Sequence, residues 1–197
     1  MTFIETVPES EATGAVHEIY ETDRATFGDL PNLTQAFSLR PEVYAAWRGL
    51  NGAIKSGMDL RRYELATLAA ARRLRSSYCA LAHGSVLMKN AFVDPDDMPG
   101  LMADHTTAEL SAAEVAVMDF ADKVADDATS VTQDDVDYLR DLGLSDTDIL
   151  DVVLTAAARC FFSTALDALG AAPDAKYAAL DPAVRDALTV GRPIASE

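Results

Sequence analysis

Cysteine, histidine and positive charge are all scarce in this chain. Its 197 residues hold two cysteines, three histidines and one tryptophan. Two cysteines, Cys79 and Cys160, are too few for a disulfide scaffold, a zinc finger or an iron–sulfur cluster. Basic residues number 16 against 32 acidic ones, which leaves a net charge of −16. Such a surface repels a phosphate backbone and an anionic bilayer alike, so neither nucleic acid nor membrane is an expected partner. The opening residues Met1-Thr2-Phe3-Ile4-Glu5 have no basic stretch and no long apolar run. Neither a signal peptide nor a membrane span is expected, and the expected compartment is cytoplasmic. A Gly-rich phosphate loop, a paired-histidine zinc helix and a calcium loop are also missing. His17, His83 and His105 show no ligand-pair spacing. No cofactor and no metal are therefore expected.

What the chain does have is alanine and helical periodicity. At 21.1 kDa and 49% hydrophobic residues it can bury one sizeable core. Glycine and proline fall between segments, and no stretch alternates β-branched residues as a strand would. Ala12, Ala15 and Ile19 recur at three- and four-residue steps, which predicts a helix over 11–27, ended by Gly28-Asp29-Leu30-Pro31. A short segment over 32–39 follows. Pro41, a favoured first-turn residue, opens a helix with Val43, Ala46, Trp47 and Leu50 that Gly57 ends. Asp59 is placed to N-cap a helix over 60–74, with Leu65, Leu68 and Ala69 as its apolar side. Two consecutive serines, Ser76 and Ser77, compete for backbone bonds and predict a break before a helix over 78–91. Residues 95–99 read as a loop. Thr107 is expected to start a helix to about Asp127, and Thr132 with Asp135 a short one to Leu142. Ser145 opens a long helix to Leu169, and Pro182 interrupts the tail. The expected fold class is all-α: a single domain over 1–197 of seven or eight helices.

Candidate chemistry is concentrated between Glu64 and His83. Cys79 and His83 are four residues apart, so on a helix they share a face. A cysteine thiol becomes a nucleophile when its thiolate is stabilised, and a helix N-terminus does this. With Ser76 as cap, Cys79 lies in the first turn. His83 can take the thiol proton, and Glu64 can orient the imidazole if its helix packs alongside.

This stretch resembles the carboxymuconolactone decarboxylase and alkylhydroperoxidase-D-like superfamily, in its peroxidase-related branch. The redox members carry a Glu, then Cys-x-x-Cys-x-x-x-His beginning twelve residues later. Glu64 takes the glutamate position, Ser76 falls at the first cysteine, Cys79 at the second and His83 at the histidine. Tyr78 precedes the cysteine as a fitting flank. The core of the resemblance covers residues 41–91. It implies an alkylhydroperoxidase-D-like helical bundle, a homo-oligomer (a dimer, trimer or hexamer), and reduction of a small hydroperoxide at Cys79, with His83 and Glu64 as proton relay. With Ser76 in place of a resolving thiol, an external thiol must complete the cycle.

The decarboxylase branch implies the rival activity, a lyase acting on a small cyclic acid. A substrate carboxylate calls for a cation, and Arg62, Arg72, Arg73 and Arg75 are the candidates, against a plainer reading as surface ion pairs or interface residues. A third alternative is a catalytically decayed oligomeric or binding protein. Cys160 reads as a buried apolar residue rather than a resolving thiol. Trp47, Tyr44 and Phe37 read as core or interface, and His17 as a surface residue.

Overall fold

Nine consecutive residues, Tyr63 to Ala71, are buried on every side. Alanine and leucine dominate this run, so neighbouring backbones approach closely and no polar stripe needs water. The helix that carries it is therefore central, not an amphipathic helix with a single buried face as Leu65, Leu68 and Ala69 alone suggested. The computed structural model describes residues 2–196; Met1 and Glu197, the ends of the expected domain span, lie outside it.

The described residues form ten α-helices and no strand: α1 (Gly14–Phe27), α2 (Asn32–Ala36), α3 (Pro41–Ser56), α4 (Leu60–Arg73), α5 (Ser77–Lys89), α6 (Met98–Ala103), α7 (Ala112–Asp127), α8 (Gln133–Asp141), α9 (Asp146–Leu169) and α10 (Pro182–Leu188). Eight have seven residues or more; α2 and α6 are single turns. Helix α4 packs against α5, α7 and α9, and α3 lies along α9. By length and composition α9 could cross a membrane, but half of its most apolar stretch is buried inside the bundle.

Local signals set most boundaries. Pro41 stands at the first turn of α3, and the Asp59 carboxylate accepts from the Arg62 N–H at 3.0 Å to cap α4. Ser145 Oγ accepts from the Asp148 N–H at 3.2 Å while Asp148 accepts from the Ser145 N–H at 2.9 Å, which caps α9 from both sides. Gly170, at φ 76°, ends it in the left-handed conformation glycine adopts freely.

Three expectations need correction. Helix α7 starts at Ala112, not Thr107, because Ser111 and Glu114 form a reciprocal capping pair while Thr107 sits in a 3₁₀ turn after Asp104. Pro182 opens α10 rather than interrupting a helix. The stretch read as a loop over 95–99 runs into α6 at Met98.

The expected break between α4 and α5 is present. Arg75 makes it at φ 56°, a costly value for a non-glycine residue. The C-terminal tail returns over this turn, and the Gly191 N–H donates to Ser77 Oγ at 2.8 Å. A β-carbon at Gly191 would lie 1.9 Å from the Arg75 carbonyl oxygen, so only glycine fits there. The tail thus covers the N-terminal turn of α5, and Ser76, Ser77 and Cys79 are all buried.

Candidate functional site

Helix α5 presents Cys79 and His83 one turn apart, and α9 presents Ser163 and Arg159 one turn apart. The four meet as two rungs. Ser163 Oγ–H donates to Cys79 Sγ at 3.1 Å, and Arg159 Nη1 lies 3.2 Å from His83 Nε2. The rungs run in opposite directions along the two helices, so α5 and α9 are locally antiparallel. Helix α4 adds Glu64, whose Oε2 is 2.5 Å from His83 Nδ1. Lys55 on α3 donates to the other Glu64 oxygen at 3.1 Å. Asn51 Oδ1 accepts from Arg159 Nη2 at 2.6 Å and from the Tyr63 hydroxyl at 2.8 Å.

Arginine can only donate, so its approach fixes the imidazole tautomer. Nε2 carries a lone pair, and Nδ1 carries the proton donated to Glu64. Burial pushes His83 below its usual pKa, and the Arg159 and Lys55 charges push the same way, outweighing the pull of Glu64. Burial alone would raise the Glu64 pKa, but His83 and Lys55 more than reverse it and the net shift is downward. The pair at neutral pH is a carboxylate hydrogen-bonded to a neutral histidine.

Asn51, Lys55, Glu64, Cys79, His83 and Arg159 line a cavity of about 560 Å³ bounded by α3, α4, α5, α9, the end of α1 and the loop after α9. That size suits a small organic molecule. Phe27, Tyr44, Trp47, Tyr78, Phe162 and Tyr177 give it an aromatic wall. Trp47 and Phe162 stack with centroids 4.6 Å apart, and the Arg159 guanidinium lies 4.8 Å from the Trp47 ring centroid.

The structure brings Glu64, Cys79 and His83 to one cavity, but not into one hydrogen-bonded chain. No hydrogen bond joins the Cys79 sulfur to His83 among the described residues, because both ring nitrogens are engaged elsewhere. Ser76 takes the N-cap position without capping; its hydroxyl is buried and has no hydrogen-bond partner among the described residues. Tyr78 contributes its ring to the cavity wall, but its hydroxyl donates to Asp174 at 2.6 Å and accepts from the Leu33 N–H at 3.1 Å. Burial, and then Asp174, hold that phenol far above its ordinary pKa. Cys160 is turned about 100° around α9 from Arg159 and does not line the cavity.

The arginines singled out for a substrate carboxylate lie elsewhere. Arg62 pairs with Asp148, and Arg72 and Arg73 pair with Asp122, as plain ion-pair partners do. Arg75 is exposed on the α4–α5 turn. Arg159, Asn51, Lys55 and Ser163 were missed from sequence. One signal could have found the two on α9. Arg159 is the sole basic residue of a 24-residue apolar helix, with Ser163 one turn on. His105 is buried between Arg72 and Asp119, and His17 is exposed. No cluster suited to a metal occurs among the described residues.

The sequence model of the carboxymuconolactone decarboxylase family matches residues 41–123. No curated protein sequence matches significantly. Several solved structures share the fold. An uncharacterised peroxidase-related protein from Ralstonia eutropha JMP134, with an alkylhydroperoxidase AhpD core, superposes with a TM-score of 0.80 at 20% identity, over 89% of this chain and 93% of that one. A peroxidase-related protein from Silicibacter sp. TM1040 gives 0.74 at 20% identity, over 89% and 91%. The debrominase Bmp8, solved as a cysteine-to-alanine variant in complex with 2,3,4-tribromopyrrole, gives 0.72 at 15% identity, over 95% and 96%. The chain thus has the all-α fold of these alkylhydroperoxidase-D-like structures.

Proposed function

We propose that the protein binds a small cyclic organic acid in this cavity, and that Glu64 and His83 move a proton on it in the manner of a carboxymuconolactone decarboxylase-like lyase. One observation carries the reading: a neutral imidazole, oriented by a buried carboxylate, lines a cavity of substrate size. When Nε2 takes a proton, the Glu64 carboxylate stabilises the imidazolium, and the same nitrogen returns the proton to a carbanion or enolate. The match of the decarboxylase family model to residues 41–123 supports this reading.

A thiol peroxidase cycle has less support. Ser163 places a donor on the Cys79 sulfur, but among the described residues no base touches the thiol and no second sulfur lines the cavity. On the resemblance, Ser76 stands where a resolving cysteine would be, and a hydroxyl cannot form a disulfide. The debrominase complex with 2,3,4-tribromopyrrole supports only that a protein of this fold can hold a small cyclic molecule. A second reading, a binding protein without turnover, draws on the Arg159 N–H that occupies the imidazole lone pair.

Release of carbon dioxide from a panel of cyclic keto- and lactone-acids tests the proposal. His83→Asn and Glu64→Gln should lower turnover by about 100-fold, the scale of general acid–base catalysis, while Cys79→Ser keeps most of it. Turnover of tert-butyl hydroperoxide with a dithiol, abolished by Cys79→Ser, would restore the peroxidase reading. Binding of an acid without turnover would select the second.

A further inference from the structure

Arg159 is a buried cation that no carboxylate of the described residues neutralises. Thirteen of the sixteen Lys and Arg side chains lie within ion-pair distance of a carboxylate. The remaining three, among the described residues, are Arg75, Lys89 and Arg159. Arg75 and Lys89 are exposed to solvent, whereas Arg159 is 3% exposed. A buried charge without a counter-ion is costly, and removal from water is the larger part of that cost. With two acids for every base, carboxylates to neutralise it were not in short supply.

Among the described residues its hydrogen bonds go to neutral acceptors, Asn51 Oδ1 and His83 Nε2. The Nε–H is buried and has no partner among the described residues. The Arg159 Cζ lies 4.8 Å from the Trp47 ring centroid and 5.6 Å from that of Phe162. A planar fork fixed in orientation, short of acceptors and set in the wall of an aromatic cavity is built to receive a planar anion.

We propose that Arg159 is the receptor for the carboxylate of a planar, aromatic-sized acid, and that the seated carboxylate draws the Arg159 N–H groups off His83 Nε2 and uncovers its lone pair. The proposal rests on the small-acid reading above and deepens it, because the base becomes available only when the cavity is occupied. An empty cavity keeps the imidazole capped; an uncharged ligand of the same shape leaves it capped. Arg159 acts on proton transfer through His83, so it is a binding and positioning residue.

Trp47 is the only tryptophan and lies against Arg159, so intrinsic fluorescence reports on the site. The full-length protein is titrated with sodium benzoate, with benzamide and with chloride at constant ionic strength. Benzoate should bind at least about tenfold more tightly than benzamide, and chloride more weakly than either. Arg159→Met keeps length and stacking while removing the charge, and should make benzoate and benzamide equal; Arg159→Lys should restore part of the preference. A measurement on the wild type alone guards against misfolding of the variants: benzoate, and not benzamide, should raise its melting temperature. The ¹⁵N resonance of His83 Nε2 should shift when benzoate binds the wild type, and should not respond in Arg159→Met. Equal binding of benzoate and benzamide by the wild type would overturn the inference. So would equal binding of chloride and benzoate, or a carboxylate preference that survives in Arg159→Met. Failure here is separable from failure of the lyase reading. Arg159-dependent benzoate binding without turnover of any acid leaves the receptor standing and removes the lyase. Turnover that depends on His83, with no preference for benzoate, does the reverse.

Discussion

At His83 the two ring nitrogens have opposite roles, and the protein holds the ring neutral to keep them so. Nδ1–H serves Glu64, and Nε2 accepts from Arg159. In the unfolded chain the same imidazole titrates near 6.5, whereas in the fold its pKa is lowered by burial and by two neighbouring cations. Between the folded and unfolded values only the unfolded chain binds the proton. The contribution of His83 to stability is therefore complete above about pH 6.5 and is lost as pH falls toward the lower native value. Scanning calorimetry should show the melting temperature of the wild type falling relative to His83→Asn from about pH 7 to about pH 5.5. Two curves that stay parallel would mean that the ring is not held neutral. Glu64, whose native pKa is also lowered, contributes stability above its ordinary value of 4.5 and loses it in more acid solution.

Among the helices, α4 carries Glu64 into the core, and its first turn depends on one exposed side chain. Asp59 accepts from the Arg62 N–H at 3.0 Å and satisfies one of the donors a helix start leaves open. Asp59→Ala should cost about 1 kcal/mol, and Asp59→Asn only a few tenths, since asparagine caps nearly as well. In urea the midpoint should move without a change in slope, because the surface buried on folding stays the same. An unchanged midpoint for Asp59→Ala would mean that packing against α5, α7 and α9 alone holds that turn. Between α5 and α9 the elements act as matched rulers. A four-residue step on each places Cys79 against Ser163 and His83 against Arg159, and a one-residue slip of either helix would part both pairs.

For the whole molecule, charge and apolar surface pull in different directions. A net charge of −16 repels copies of the chain from one another. Yet Leu50, Leu154 and Phe161 are exposed around an apolar groove of about 410 Å³ between α3 and α9, with Val43, Ala46 and Ile54. An exposed apolar face of this kind favours association. The expected homo-oligomer should form through it and should tighten as salt screens the repulsion. Light scattering at micromolar concentration should give a mass above 21.1 kDa for the wild type and near 21.1 kDa for Phe161→Glu. A wild type that stays at 21.1 kDa in high salt would remove the homo-oligomer. Trp47 lines both this groove and the ligand cavity, so its fluorescence can respond to either event.

The signals that the sequence carried openly are those that act within one helical turn. Pro41, Asp59, Ser145, Gly28 and Gly170 set helix ends because a cap or a breaker needs only its nearest neighbours. The four-residue step from Cys79 to His83 put both on one face of a helix for the same reason, whereas Glu64, on the preceding helix, joined them only on the condition that the two helices pack together. Where two local signals competed, as at Thr107 and Ser111, the sequence alone did not show that the reciprocal Ser111–Glu114 pair would prevail. What it left open was every choice made at long range. Arg159 meets His83 across 76 residues and Ser163 meets Cys79 across 84. Those pairings depend on how α5 and α9 slide and rotate against each other, and that is settled by the packing of α4 between its neighbours. The same packing sent Arg62, Arg72 and Arg73 to surface carboxylates and left Arg159 buried without one. A residue's charge is written in the chain, but its counter-ion is chosen only when distant helices come together.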